Sequence, residues 1–565
     1  MGGSNRSTSR RLSRRTFLTS AAIGGTSLVA AQMPGVHAAL RNRTISSDVE
    51  PLRATIPELH KLMASGDLTS RELTETYLRR IERLNPLLHA VIEVNPDALR
   101  IADRRDAQWG SDDDDLGPLH GIPVLVKDNI ATDDAMETTA GSLALVGSVV
   151  PADATLIARL RRAGAVILGK ANLSEWANFR GFAPFEGWSA RGGFTRDPYK
   201  LQLNPSGSSS GSAVGAAANL CAVAIGTETD GSIVAPSGNN LVVGLKPTVG
   251  LVSQSGIIPI GHSQDTAGPI GRTVTDVAVT LNALKSPFGR VARHELPDDY
   301  TDFLDDDALE GARIGIDRRQ FTPAYGAYPD VIDVVNHAID LMADAGAEII
   351  DPVDPGDPLS WFFDFELPVL LFEFKGDIAK YLSGLGNTHM RTLADLIAFN
   401  VDHCTEEMKY FGQELFEMAE ATSGDLTDPE YVKARRMCLK LARREGINQA
   451  LETHDLDAIL TPSFAFGSSG PAVSGYPIMS IPAGIGEKNR PAGIWLSGGF
   501  LSEPKLIAIG YAIEQLLDAR RQPSFRGHVP PKPPDAGLCD PTAGTAGAKT
   551  ATRAEMRAAV QRPNF

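Results

Sequence analysis

The sequence predicts an α/β fold, one large mixed β-sheet covered by helices on both faces. Three observations carry this expectation. Short apolar runs that read as buried strands alternate with longer segments of helical period over most of the chain. The 565 residues, 42% hydrophobic and 22% charged, have globular composition and exceed what one ordinary core needs. The four cysteines are too dilute for a disulfide framework, so burial rather than stapling must hold the chain. With Lys+Arg 54 against Asp+Glu 69 the net charge is −15, which argues against a nucleic-acid partner.

The chain begins with a targeting pattern. No acidic residue precedes Asp48, and Arg6, Arg10, Arg11, Arg14 and Arg15 stand ahead of an uncharged run from Thr16 past Ala31. Ser13-Arg14-Arg15-Thr16-Phe17-Leu18 resembles a twin-arginine export signal, and Val36-His37-Ala38 offers a small-x-small cleavage site. Residues 1–38 are therefore expected to be a signal peptide, with the mature protein periplasmic or extracellular and carrying a net charge of about −20. Gly24, Gly25, Thr26 and Ser27 dilute the run below what a stable bilayer span prefers, so no stable membrane insertion is expected after cleavage. No cysteine lies at the cleavage region to carry a lipid anchor, and a chain exported after folding in the cytoplasm fits reduced cysteines.

Residues 39–527 read as the globular domain. Thr69-x-x-Glu72 is a capping box, and Leu73, Tyr77, Ile81 and Leu84 follow at helical spacing. Asn95-Pro96 opens another helix. The acidic run Asp112–Asp115 reads as a solvated loop, and Ile122–Lys127 as a buried strand. A helix over 154–163, a strand over 165–168, a small-residue helix over 212–220 and a strand over 221–225 continue the alternation. It resumes with 312–316, a helix near 330–345, a strand at 348–350 and a largely helical stretch through Arg444. Strands at 458–460, 477–481 and 493–496 and a last helix over 503–517 close the sheet. From His528 the chain is rich in Pro, Ala, Gly and Thr, so 528–565 is expected to be a disordered tail.

Several motifs compete for the chemistry. Gly164-Ala-Val-Ile-Leu-Gly169-Lys170 has the spacing of a phosphate-binding loop, but its middle residues are strand formers and Ala171 replaces the magnesium-binding hydroxyl. Gly207-Ser208-Ser209-Ser210-Gly211 matches a nucleophile elbow centred on Ser209, yet the preceding segment is short and stopped by Pro205. No histidine pair stands at i, i+3 or i+4, so a zinc site is not expected. What remains is a pair of hydroxyl- and glycine-rich segments, 205–212 and 226–236, joined by a tightly packing helix and strand that should bring both to one sheet edge. Thr229-Asp230-Gly231-Ser232-Ile233 presents consecutive backbone N–H groups around a serine, as an acyl oxyanion requires. A serine needs a base. Lys127, at the end of an apolar strand, is the candidate, neutralised by desolvation.

Gly121-Ile122-Pro123-Val124-Leu125-Val126-Lys127-Asp128-Asn129, with Ser206–Ser212 through Gly244-Leu245-Lys246-Pro247, resembles the amidase signature family over about Thr55 to Arg520. The resemblance implies the amidase signature fold, Ser232 as acyl nucleophile, Ser208 as a bridging serine after a cis peptide with Gly207, and Lys127 as general base. It implies an oxyanion hole from the N–H groups of Thr229, Asp230, Gly231 and Ser232, with neither metal nor organic cofactor. Asp230-Gly231 and Ile233-Val234 depart from the family's usual glycine pair and following arginine. With 172–181, Gly187–Arg191, Ser263–Pro269 and Ser502–Leu506 they resemble the bacterial peptide amidase branch, which acts on C-terminal peptide amides. Other aliphatic or aryl amides, an A-type amidotransferase component, and a non-catalytic scaffold are the alternatives. The segment Thr461–Gly475 is shorter than in that branch. The expected partner is a small amide or peptide amide; oligomeric state stays open. Asp265 and Arg272 read as a weak surface pair without catalytic role, and Trp176 and Trp188 as core or substrate wall.

Overall fold

The computed structural model describes residues 50–109, 116–463 and 466–539, within a compact unit spanning Asp48–Phe565. The expected export signal, residues 1–38, and the acidic run 112–115 lie outside the described residues. Thirteen strands are present among the described residues: β1 (Val91–Val94), β2 (Pro123–Lys127), β3 (Val166–Ala171), β4 (Trp188–Ser189), β5 (Gly193–Phe194), β6 (Val223–Glu228), β7 (Val243–Lys246), β8 (Thr266–Gly271), β9 (Arg313–Ile316), β10 (Glu348–Ile350), β11 (Ala458–Pro462), β12 (Ile478–Ile485) and β13 (Pro491–Ser497). Eleven form one mixed sheet in the order β1-β3-β2-β6-β8-β7-β12-β13-β11-β9-β10, while β4 and β5 form a separate hairpin.

β2 is parallel to both neighbours, with Lys127 opposite Ala171 of β3 and Val126 opposite Ile225 of β6. Its five residues are all buried, which is why the run is apolar throughout rather than alternating. Parallel strands present their carboxyl ends on one side of the sheet, and there the chain leaves β2 at Lys127 and β6 at Glu228, one residue before the loop Thr229–Ser232.

The helices follow from local signals. Thr69 caps Ser70–Leu88 by accepting from the Glu72 N–H at 3.0 Å while its own N–H donates to Glu72 at 2.9 Å. The small-residue helix is Ser210–Ala217, starting two residues earlier than expected, and every residue in it is buried. Its side chains must be small: a Cβ on Gly211 would meet Ala90 O at 2.3 Å and the Asn172 backbone at 2.4 Å. Between residues 358 and 454 a run of helices builds a second apolar cluster around Phe374, Leu396 and Phe416, which Trp176 and Phe179 join.

Of the expected tail 528–565, residues 540–565 lie outside the described residues; in the described part Gln202 pairs with His528 at 2.8 Å and the Ala536 N–H donates to Lys409 O at 2.8 Å. One expectation is corrected: not all cysteines are reduced, since Cys404 and Cys539 form a disulfide across 135 positions. Spacing along the chain carries no signal for such a pair; only the return of the C-terminal segment across 404–410 brings the two together. Cys221 and Cys438 are free and buried.

Candidate active site

Lys127 is fully buried, and its ammonium nitrogen has three oxygen neighbours: Ser208 Oγ at 2.8 Å, Ser209 Oγ at 2.9 Å and Thr227 O at 3.2 Å. Burial lowers its pKa to about 7, against the opposing fields of Glu228 and Asp265. No carboxylate forms an ion pair with it among the described residues. The hydrogen bonding has a definite sense. Ser209 donates its hydroxyl proton to Thr227 O at 3.0 Å, so its oxygen is left to accept from Lys127. A neutral amine has two N–H groups and one lone pair. Its N–H groups suit Ser209 Oγ and Thr227 O, and the lone pair then faces the Ser208 hydroxyl.

The serine loop is held from several sides. The Gly207–Ser208 peptide is cis, and Ser206 before it has φ of +61°. Ser208 O accepts from Ser174 N–H at 3.1 Å, and Ser210 Oγ donates to Ser206 O at 2.5 Å. Ser212 Oγ ties the helix to β6 through Ile225 O at 3.1 Å. The two glycine-rich segments do meet at one sheet edge, because Ser209 N–H donates to Ser232 O at 3.2 Å.

In the second loop Gly231 has φ of +78°, a conformation that favours glycine. Ser232 retains 8% exposure. None of the hydrogen bonds among the described residues uses the backbone N–H of Asp230, Gly231 or Ser232, which leaves these amides available to an incoming oxygen. The next two amides are spoken for: Ile233 and Val234 donate to Glu228 Oε2 at 2.7 and 3.0 Å.

Sequence reading missed the side-chain roles of Asp265, Ser209 and Asp230. Asp265 is not on the surface and does not pair with Arg272. It is buried and accepts from Thr229 Oγ1 at 2.6 Å and from the N–H groups of Ile260 and Gly261 at 2.8 and 3.0 Å, with burial raising its pKa to about 7. Arg272 is buried elsewhere, donating to Cys221 O and Ala54 O. Ser209, whose setting does not suit an elbow nucleophile, is a direct partner of Lys127. Asp230 is gripped by Ser468 and Ser469, each donating its hydroxyl at 2.6 Å. Nothing in one-dimensional spacing points from 230 to 468. Trp176 packs in the core beside Phe416, and Trp188 sits among Phe194, Tyr410 and Phe411.

Among the described residues one His/carboxylate group, His262 with Glu373 and Asp377, gathers possible metal ligands. Its oxygens already serve protein donors: Glu373 accepts from Ser263 N–H and Tyr431 Oη, and Asp377 from the His262 backbone N–H at 3.1 Å with the His262 ring 2.8 Å away. Both carboxylates stand on the helix Leu367–Ser383.

Comparison with known proteins follows the same outline. A family profile described as Amidase matches residues 72–469. The native peptide amidase of Stenotrophomonas maltophilia, an X-ray structure, superposes with a TM-score of 0.79 at 46% identity, covering 85% of this chain and 100% of that one. A protein of Arabidopsis thaliana described as a probable amidase is 43% identical over 504 residues, 85% of this chain and 93% of the relative. The A-type component of the glutamyl-tRNA(Gln) amidotransferase of Halorhodospira halophila is 32% identical, over 83% of this chain and 98% of the relative.

Proposed function

This chain belongs to the amidase family, and on that premise we propose that it is an exported serine amidase cleaving the C-terminal carboxamide of peptide amides. The observation that carries the mechanism is the buried Lys127 amine in hydrogen-bond contact with Ser208 and without a carboxylate partner. In the reaction, Ser232 Oγ attacks the carbonyl carbon as its proton passes to Ser208, whose own proton passes to the Lys127 lone pair. The oxyanion rests on the amides of Thr229, Asp230, Gly231 and Ser232. The C–N bond then breaks, and the relay returns a proton to the leaving nitrogen, which departs as ammonia. Water, deprotonated by the same relay, resolves the acyl-enzyme to the carboxylic acid and regenerates Ser232.

The substrate assignment is supported by the 46% identity to a peptide amidase, higher than to the amidotransferase component. Export is supported by the twin-arginine pattern and by the Cys404–Cys539 disulfide, because disulfides persist in oxidising compartments. Ammonia release from a panel of dipeptide amides, simple aliphatic amides and aryl amides tests the substrate class. Peptide amides should give the highest kcat/KM; inertness toward them alongside turnover of simple amides would overturn it. Labelling by a fluorophosphonate, lost in Ser232→Ala, separates the enzyme from a non-catalytic scaffold.

A further inference from the structure

Behind the loop Thr229–Ser232 lies a carboxyl group that the proposed reaction does not use. Glu366 ends the π-helical turn Phe362–Glu366 and is fully buried. Its Oε1 accepts from Gln264 Nε2 at 2.9 Å, whereas its buried Oε2 has no hydrogen-bond donor among the described residues. Its electrostatic neighbour is Asp230. Asp230 cannot supply a donor easily, since both its oxygens already accept, from Ser468 Oγ and Ser469 Oγ. No lysine or arginine ion-pairs with either carboxyl among the described residues.

An ionised Glu366 would therefore leave one buried oxygen without a partner and set two negative charges side by side, both costly. A proton on Oε2 removes both problems, because the orphan acceptor becomes a donor and the second charge is gone. Gln264 extends the link: its amide nitrogen lies 2.9 Å from Glu366 Oε1 and 3.4 Å from Thr229 O, so it touches the peptide that carries the Asp230 N–H.

We propose that Glu366 is a positioning residue of this amidase: as a neutral acid it donates to Asp230 and, with Gln264, fixes the 229–230 peptide so that its N–H faces the oxyanion. The role rests on reading 229–232 as the oxyanion hole. The charged and titratable groups around the pair are Lys246 on β7, Glu228 on β6 and Cys438 at the end of the helix Pro429–Cys438. Burial raises the Asp230 pKa, opposed by its two serine donors and then by Lys246, while burial first, and then Asp230 itself, drive the Glu366 pKa well above the usual carboxyl range. Loss of that proton would set two carboxylates against each other and loosen the hold on the 229–230 peptide, so a fall of activity toward alkaline pH should depend on Glu366.

The test combines a direct reading of the proton with kinetics. The infrared difference spectrum between wild type and Glu366→Gln at neutral pH should contain the C=O stretch of a carboxylic acid; absence of that band overturns the proposal whatever the enzyme's substrate. Glu366→Gln keeps a donor toward Asp230, so kcat should stay within about threefold of wild type and its fall at alkaline pH should move to higher pH or vanish. Glu366→Leu should lower kcat on the order of 10²-fold with KM little changed, as removal of an oxyanion donor does. An unmoved alkaline limb in Glu366→Gln, or a Glu366→Leu protein that loses only thermal stability, refutes the positioning role. Full activity in Ser232→Ala overturns the parent reading, and the role with it, even where the infrared band is present.

Discussion

Lys127 and Lys170 lie on neighbouring parallel strands, both fully buried, yet they are placed for different work. Lys170 donates to Ile130 O at 2.6 Å and Thr138 Oγ1 at 2.9 Å, with its pKa lowered by burial to about 8 while Asp128 opposes the fall. Lys127 contacts two serine hydroxyls and one carbonyl. Lys246 makes the same point: it is buried, has a pKa of about 8, and donates to Pro247 O at 3.3 Å. Burial alone thus depresses any lysine. A general base also needs a hydroxyl that can hand it a proton, and of these three only Lys127 has one on the loop that meets Ser232.

The strongest test of this contrast removes the proposed nucleophile. Ser232→Ala should reduce kcat on the order of 10⁴-fold or more with an unchanged thermal midpoint, measured by ammonia release. Next, Lys127→Ala should lower kcat by about 10²–10⁴-fold. Lys170→Ala should instead cost about 3 kcal/mol of stability in denaturant unfolding, because Asp128 loses a nearby opposite charge, while kcat in the folded fraction stays near wild type. If Lys170→Ala abolished turnover without unfolding the protein, the distinction between the two lysines would collapse.

The pH profile sharpens the contrast further. In the proposed reaction Lys127 works as the neutral amine, so kcat/KM should be level above about 7 and drop about tenfold per unit below it, until the alkaline limb proposed for Glu366. A profile flat through the acid range would remove Lys127 as the base. Asp265→Asn should shift that acid limb to lower pH by only a fraction of a unit, because Asp265, its own pKa raised to about 7, holds only part of its charge where Lys127 titrates. An acid limb moving the other way would mean that Asp265 acts through Thr229 alone. The smallest effect is expected far from the lysines: Cys539→Ser should leave kcat within about twofold and cost at most about 2–4 kcal/mol of stability. A larger loss of activity would place the C-terminal segment in the catalytic machinery.

Much of the fold is legible because its signals are local. The Thr69–Glu72 capping box starts its helix, the last helix runs Glu503–Leu517 as its pattern predicts, and the apolar run ending at Lys127 is a buried strand. Other strands have weak one-dimensional signatures. β8, Thr-Ala-Gly-Pro-Ile-Gly, contains two glycines and a proline, which give no strand signal, yet pairs along its length with β6. β1 is four residues long and includes Glu93. Asp265 reads as a surface residue because sequence gives polarity but not depth.

By itself the sequence determined which residue types stand at the ends of β2 and β6 and which short segments fold as helix or strand, since these depend on neighbours a few positions away. Only the tertiary structure decided which carboxylates face Lys127, that Asp230 is held by 468–469 and by Glu366, and that Cys404 reaches Cys539. Desolvation and electrostatic field are set by whatever chain crosses within a few ångströms, and those crossings join positions more than a hundred residues apart.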